Sequence, residues 1–229
     1  MFHSRQDVCH SRARYSERVT VRTSGAAPRS DVEAADAGAR ETAARARTRR
    51  AILEAAATVL SSDRSASLSD VAQAAQVGRT TLHRYFPERT DLVEAIAAEA
   101  VERTRAAIAA ARVDDGDPAA ALRRLAFEYF ELGPWYMVLF NEMAEGETAF
   151  WADAEEAEEP VRQLLRRGQE DGVLDDQLSV PWLLRTLWWM LFNAWSMADE
   201  GDLSRSDALR MALRSLEGVA LARPEERAG

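Results

Sequence analysis

Between residues 79 and 89 the chain gathers side chains suited to nucleic acid: Arg79, Thr80, Thr81, His83, Arg84, Tyr85 and Arg89. Hydroxyls and guanidiniums can hydrogen-bond base edges, while imidazole, phenol and further guanidiniums suit phosphate oxygens. Leu82 and Phe86 stand one helical turn apart and must point inward. At 3.6 residues per turn, Thr80 and Arg84 then take the opposite side, with Thr81 beside them and His83 and Tyr85 on the flanks. A helix pushed into a groove would aim Thr80, Thr81 and Arg84 at bases and the two rings at phosphates. Arg79, in the first turn, suits a phosphate. An ordinary pair of amphipathic helices would explain Leu82 and Phe86, but not the polar set around the outer faces.

Presenting that helix requires a second one crossing it at a tight turn, and residues 67–96 supply both. Ser67 and Asp70 form an S-x-x-D start signal, and Ser67 and Ser69 at this helix start are further candidates for DNA contact. Val71, Ala74 and Ala75 give one apolar face. A turn at Gln76, Val77 and Gly78 follows, with Gly78 as the N-cap of the second helix and Val77 and Leu82 as a hydrophobic staple. Pro87 closes the unit, which reads as a helix-turn-helix.

The segment VAQAAQVGRTTLHRYFPERTDLVEAI resembles the DNA-binding region of the TetR (tetracycline repressor) family of transcriptional regulators. The likeness rests on Thr81, Leu82, His83, Arg84, Tyr85, Phe86, Pro87 and Arg89. Gln76 stands where the family's turn usually has glycine, and Gly78 where a serine or threonine cap is usual. A glycine cap costs only about a few tenths of a kcal/mol against serine. The resemblance implies that His83 and Tyr85 hold phosphates. It further implies that a following helix transmits ligand state, that the C-terminal helices dimerise, and that a small molecule controls DNA binding.

Long Ala, Leu, Glu and Arg-rich stretches show a 3.6-residue period and nothing alternates with period 2, so the expected class is all-α. The 229 residues suffice for a three-helix DNA-binding domain at 44–90 and a helical ligand-binding and dimerisation domain at 91–223, with helix 91–112 connecting the two. Net charge is −9, unusual for a DNA binder, yet residues 1–50 carry 11 Arg against 6 acidic residues and the remainder is acidic. Residues 1–43 read as a disordered Arg-rich arm. The arm either adds DNA contacts, does nothing, or precedes a true start further down. No signal-peptide pattern opens the chain and Cys9 is alone, so a cytoplasmic location is expected. Val180–Ala198 approaches a membrane span in length, but Arg185, Thr186 and Asn193 interrupt it, so it reads as a buried helix with no membrane partner.

The first folded helix is expected at 44–61, burying Ile52, Leu53, Ala56, Ala57, Val59 and Leu60. Beyond the connecting helix, five more are expected at 118–132, 134–145, 148–170, 180–199 and 204–222. The last two are apolar on more than one side. Leu184, Leu187, Trp188, Leu191, Trp195, Leu209, Ala212, Leu213 and Leu216 are therefore candidates for a homodimer interface built as a four-helix bundle. All six Trp lie beyond residue 130. Phe127, Phe130, Trp135, Tyr136, Met137, Phe140, Met143, Trp151, Trp189 and Phe192 could line a cavity, with Asn141, Glu142 and Asn193 to orient a ligand. An apolar or aromatic effector fits such a lining, and a cationic one suits the acidic surroundings. The alternative is that these residues only fill the core.

The three His are His3, His10 and His83, so no His-based triad or metal site can be assembled, and no phosphate-binding glycine loop is present. No catalytic residue, metal or cofactor is expected. The acidic run Glu155, Glu156, Glu158 and Glu159 reads as a solvated helix face. The expected function is a dimeric repressor that binds a palindromic operator in double-stranded DNA and is released by a small molecule. Two rivals remain: a nonspecific DNA-binding protein with a purely structural assembly domain, and an enzyme or carrier using the aromatic cavity.

Overall fold

The computed structural model describes residues 29–142 and 148–222. These residues form ten α-helices and, apart from one isolated bridge between Leu174 and Leu221, no β-structure. The chain divides into two units, residues 1–43 and 44–229. In the first, the described part is helical from Arg29 onward. The sequence predicts a helix start at Ala44 after a disordered arm over 1–43, and helix α1 (Arg29–Ser62) begins fifteen residues earlier. Residues 31–43 hold five Ala and two Glu, whose helix propensity needs no apolar stripe. The expectation for residues 1–28 lies outside the described residues.

In the second unit, α1 is followed by α2 (Leu68–Ala74), α3 (Arg79–Tyr85) and α4 (Arg89–Ala111). Ile52, Leu53, Ala56, Ala57 and Leu60 of α1 are buried with Val71, Leu82, Phe86, Leu92 and Ile96, which makes one small core for the helix-turn-helix. Val59 is half-buried against it. α2 starts on a reciprocal cap: Ser67 Oγ accepts from Asp70 N at 3.4 Å, and Asp70 Oδ2 accepts from Ser67 N at 2.7 Å. Gly78 is the N-cap of α3, as expected, and no side chain caps it. The turn between them uses Gln76 in the left-handed region, φ 56°. That is where a glycine would be free of Cβ strain.

The remaining helices are α5 (Pro118–Phe130), α6 (Gly133–Glu142), α7 (Thr148–Ala157), α8 (Glu159–Glu170), α9 (Val180–Asp199) and α10 (Arg205–Ala220). Asp117, Ser179 and Ser204 cap α5, α9 and α10 through their side chains. Where one helix was expected over 148–170 there are two, broken at Glu158. Pro160 has no N–H for the carbonyl four residues back and its ring would clash there, so the helix restarts with Pro160 in its first turn. α4 packs on α5, α6 and α7, α8 lies between α5 and α9, and α9 is paired along its length with α10. α6 can approach α9 closely because Gly133 lacks a side chain: a Cβ there would sit 2.7 Å from the Trp195 indole.

Candidate functional site

The helix-turn-helix presents its polar side chains as the periodicity demands. Leu82 is fully buried, whereas Arg79, Thr80 and Arg84 are exposed and Thr81, His83 and Tyr85 are half-buried on the flanks. The Arg84 guanidinium lies 5.7 Å from the Tyr85 ring centre and is bound by no carboxylate among the described residues. His83 Nδ1 donates to Pro87 O at 3.3 Å, since a carbonyl can only accept. Ser69 is half-buried, and Ser67 is exposed but its hydroxyl also donates to Asp70 Oδ2 at 2.7 Å, so its first duty is the cap. These hydrogen bonds from Ser67 hold the Asp70 carboxyl below its ordinary range.

Arg89 is placed differently from the expectation of a phosphate ligand. Its Nε and Nη2 donate to the two carboxylate oxygens of Glu142 at 3.1 and 2.7 Å, while Nη1 reaches Ala66 O at 2.6 Å and Nη2 reaches Arg64 O at 3.2 Å. A forked guanidinium in a double contact of this kind is fixed. It ties the loop before α2 and the first turn of α4 to the end of α6.

Between α6, α7, α8 and α9 lies a cavity of about 600 Å³. Its walls include Tyr136, Phe140, Leu184, Trp188, Trp189 and Phe192, and its charged groups are Glu155, Glu158, Arg162 and Arg185. Of the aromatic residues expected there, Tyr136, Phe140, Trp189 and Phe192 line it. The others do not. Phe127 is 52% exposed, Phe130 and Trp135 are core residues, Met137 belongs to a separate cleft beside Trp195, and neither Asn141 nor Asn193 is in the wall. Met143 and the side chain of Trp151 lie outside the described residues. Trp188 stacks on Tyr129 and leans on Tyr136, at centroid distances of 4.7 and 4.4 Å, and Phe192 sits edge-on to Phe140 at 5.0 Å.

Glu158 was missed by the sequence reading, which took it for part of a solvated face. Only 9% of it is exposed, and its Oε1 accepts from Trp188 Nε1. Burial pushes its carboxyl above the ordinary range, against the pull of Trp188 and Arg162. The signal was Pro160, which breaks the helix and lets Glu158 turn inward. Behind Trp188, Tyr129 Oη is buried without a hydrogen-bond partner among the described residues, and burial together with Glu158 raises that phenol well above its usual value. Thr104 Oγ1 donates to Ala100 O at 2.9 Å, so at the 2.7 Å contact with Tyr136 it must accept from the phenol. This joins the cavity wall to α4.

Six of the nine interface candidates are taken up by the subunit's own core. Leu184, Leu187, Leu191, Trp195, Ala212 and Leu216 are buried within the subunit, and Trp188, Leu209 and Leu213 are half-buried against its core. Leu184 and Trp188 line the cavity instead. The apolar groups that α9 and α10 leave outside are Trp182, Trp189, Met211 and Val219, at 60%, 63%, 50% and 37% exposure. Among the described residues no cluster suits a metal ion, and no helix is long and apolar enough to cross a membrane.

Residues 52–96 match the family model described as bacterial regulatory proteins, tetR family. Over 164 residues the chain is 37% identical to the HTH-type transcriptional repressor LfrR of Mycolicibacterium smegmatis, covering 70% of this chain and 84% of that protein. The crystal structure of the TetR-like regulator LfrR in complex with proflavine superposes with a TM-score of 0.65 at 34% identity, over 76% of this chain and 96% of that one. A TetR family regulator from Marinobacter aquaeolei shares the fold at a TM-score of 0.58 and 18% identity, over 80% of this chain and all of the other.

Proposed function

Because the chain belongs to the TetR family of bacterial transcriptional regulators, we propose that it is a repressor which binds a palindromic operator as a homodimer and is released by a planar aromatic cation. The observation that carries the effector class is the cavity. It places a nine-tenths buried carboxylate, Glu158, among the rings of Tyr136, Phe140, Trp188, Trp189 and Phe192. Ring faces attract cations, and a desolvated carboxylate supplies the charge that discriminates a cation from a neutral ring of the same shape. The relative LfrR has been crystallised with proflavine, a tricyclic cation, which agrees with this choice.

For DNA, Thr80, Thr81 and Arg84 are the base-reading set and Arg79, His83 and Tyr85 the phosphate-holding set. Two copies joined through the exposed apolar faces of α9 and α10 would present two such helices to an inverted repeat, with half-sites about one helical turn apart. Release follows if the cation binds better to a conformation whose recognition helices no longer match that spacing, since equal affinity for both would shift nothing. The test is selection of bound fragments from random DNA, then release of the selected fragment by proflavine. Asymmetric, unrelated fragments would rule out the palindromic dimer. A selected fragment unmoved by saturating proflavine would rule out the cationic effector.

A further inference from the structure

The charged wall of the cavity is not an open carboxylate waiting for a ligand. Glu158 Oε1 is occupied by the Trp188 indole, but Oε2 accepts no hydrogen bond from any described residue. Its nearest cation is Arg162 Nη2, at 3.9 Å, beyond hydrogen-bonding distance. The same guanidinium stands 3.8 Å from Glu155 and 3.8 Å from Glu159, and its one short contact among the described residues is Nη1 to the Glu155 carbonyl at 2.6 Å. Arg162 is thus shared loosely among three carboxylates and fixed by a carbonyl. Glu155 and Glu159 are well exposed, and Glu159 already has Arg166 at 2.5 Å. Arg185, on α9, faces the same cavity from the solvent side. Glu158 is therefore the member of the group with least access to water and with a partner held only at long range.

We propose that Arg162 is the resident counter-charge of this cavity, held near Glu158 while no ligand is bound and displaced toward Glu155 and Glu159 when a cationic ring seats against Glu158 Oε2. The inference rests on the cationic-effector reading and adds how that charge is recognised. The displacement is cheap because Arg162 gives up no hydrogen bond to Glu158 and keeps two other carboxylates and its carbonyl. A neutral ring leaves Arg162 where it is. Arg162 accordingly sets how strongly the cavity prefers charge, without itself contacting the ligand.

Proflavine and acridone, its uncharged tricyclic counterpart, are titrated into the intact protein by tryptophan quenching, in the wild type and in Arg162→Gln, Arg162→Lys, Glu158→Gln and the double variant Glu158→Gln/Arg162→Gln. Removing the resident charge should tighten proflavine roughly threefold to thirtyfold relative to acridone. Arg162→Lys should stay close to wild type, and in the Glu158→Gln background Arg162→Gln should bring little gain, because the buried carboxylate is gone and the remaining one, Glu155, is exposed and screened by water. The ratio of the two affinities within one variant does not depend on how much of that variant is folded. Weaker proflavine binding in Arg162→Gln, or an equal shift for both compounds, overturns the assignment of Arg162 while leaving the cationic effector standing. Absence of proflavine binding in every variant overturns both.

Discussion

Substituting Glu142 by Gln tests whether Arg89 is a fastener inside the protein or a ligand for DNA. The pair is doubly bonded, at 2.7 and 3.1 Å, and the two side chains are 32% and 18% exposed. Two unit charges 4 Å apart near a protein surface attract by about 4 kcal/mol, but exposure and the entropy of fixing long side chains remove most of that. We expect Glu142→Gln to cost about 1 kcal/mol. Arg89→Ala should cost about 2–3 kcal/mol, because the carbonyls of Arg64 and Ala66 lose a charged donor as well. For a chain of this size each kcal/mol lowers the melting temperature by about 2–4 °C. The assay is thermal unfolding of both variants beside operator affinity measured over a range of salt. A fastener predicts lower stability with the salt dependence of binding unchanged. A phosphate ligand predicts a salt slope flatter by about one contact in Arg89→Ala and tighter DNA binding in Glu142→Gln. That second pattern, with stability intact, would refute the reasoning.

Arg84→Ala should relax the preference at one operator position by about 1–3 kcal/mol, measured by competition among single-base variants of the site. Gln76→Gly should stabilise the protein by roughly 0.5–1 kcal/mol in urea unfolding, because the left-handed φ at this turn strains any side chain. Leu187→Asp should unfold the subunit, since Leu187 is 1% exposed, whereas Met211→Glu and Val219→Glu should leave a folded monomer by sedimentation. The Glu158 carboxyl is raised by burial, so proflavine affinity should climb as pH rises through that elevated value and lose this dependence in Glu158→Gln. Stability moves the other way: the contribution of a raised carboxyl is present below its unfolded value and fades as pH rises through the folded one.

The helix-turn-helix was legible because its signals are local. Ser67 with Asp70, Gly78 before α3, and Leu82 with Phe86 each act within one or two turns, and the structure realises them all. The cavity was half legible. Aromatic residues on α6 and α9 announced apolar surface, but helical spacing cannot say whether Phe130 or Phe140 meets a void, because that depends on which neighbour covers it. Glu158 was hidden by its own neighbours. Three further glutamates within five residues look like a wet face, and only the helix break at Pro160 turns one of them inward. The interface candidates divide for a related reason. α9 is apolar on several sides, and composition does not reveal that Leu187 and Leu191 are consumed by the subunit's own core while Trp182 and Trp189 remain outside.

α6 is ten residues long and carries Tyr136 and Phe140 in the cavity wall and Glu142 at its far end, bound to Arg89. A rod of that length, about 15 Å at 1.5 Å per residue, moves as one piece. For anyone redesigning this protein as a biosensor, the consequence is a division of labour among positions. Libraries at 136 and 140 that reshape the cavity will shift the rod, and will yield switches stuck on or off as often as new specificities. Libraries at 155, 158 and 162, on α7, on α8 and at the break between them, alter which charge is accepted without changing a side chain of α6. Directed evolution toward a new inducer should therefore begin on the second pair of helices and leave α6 until last.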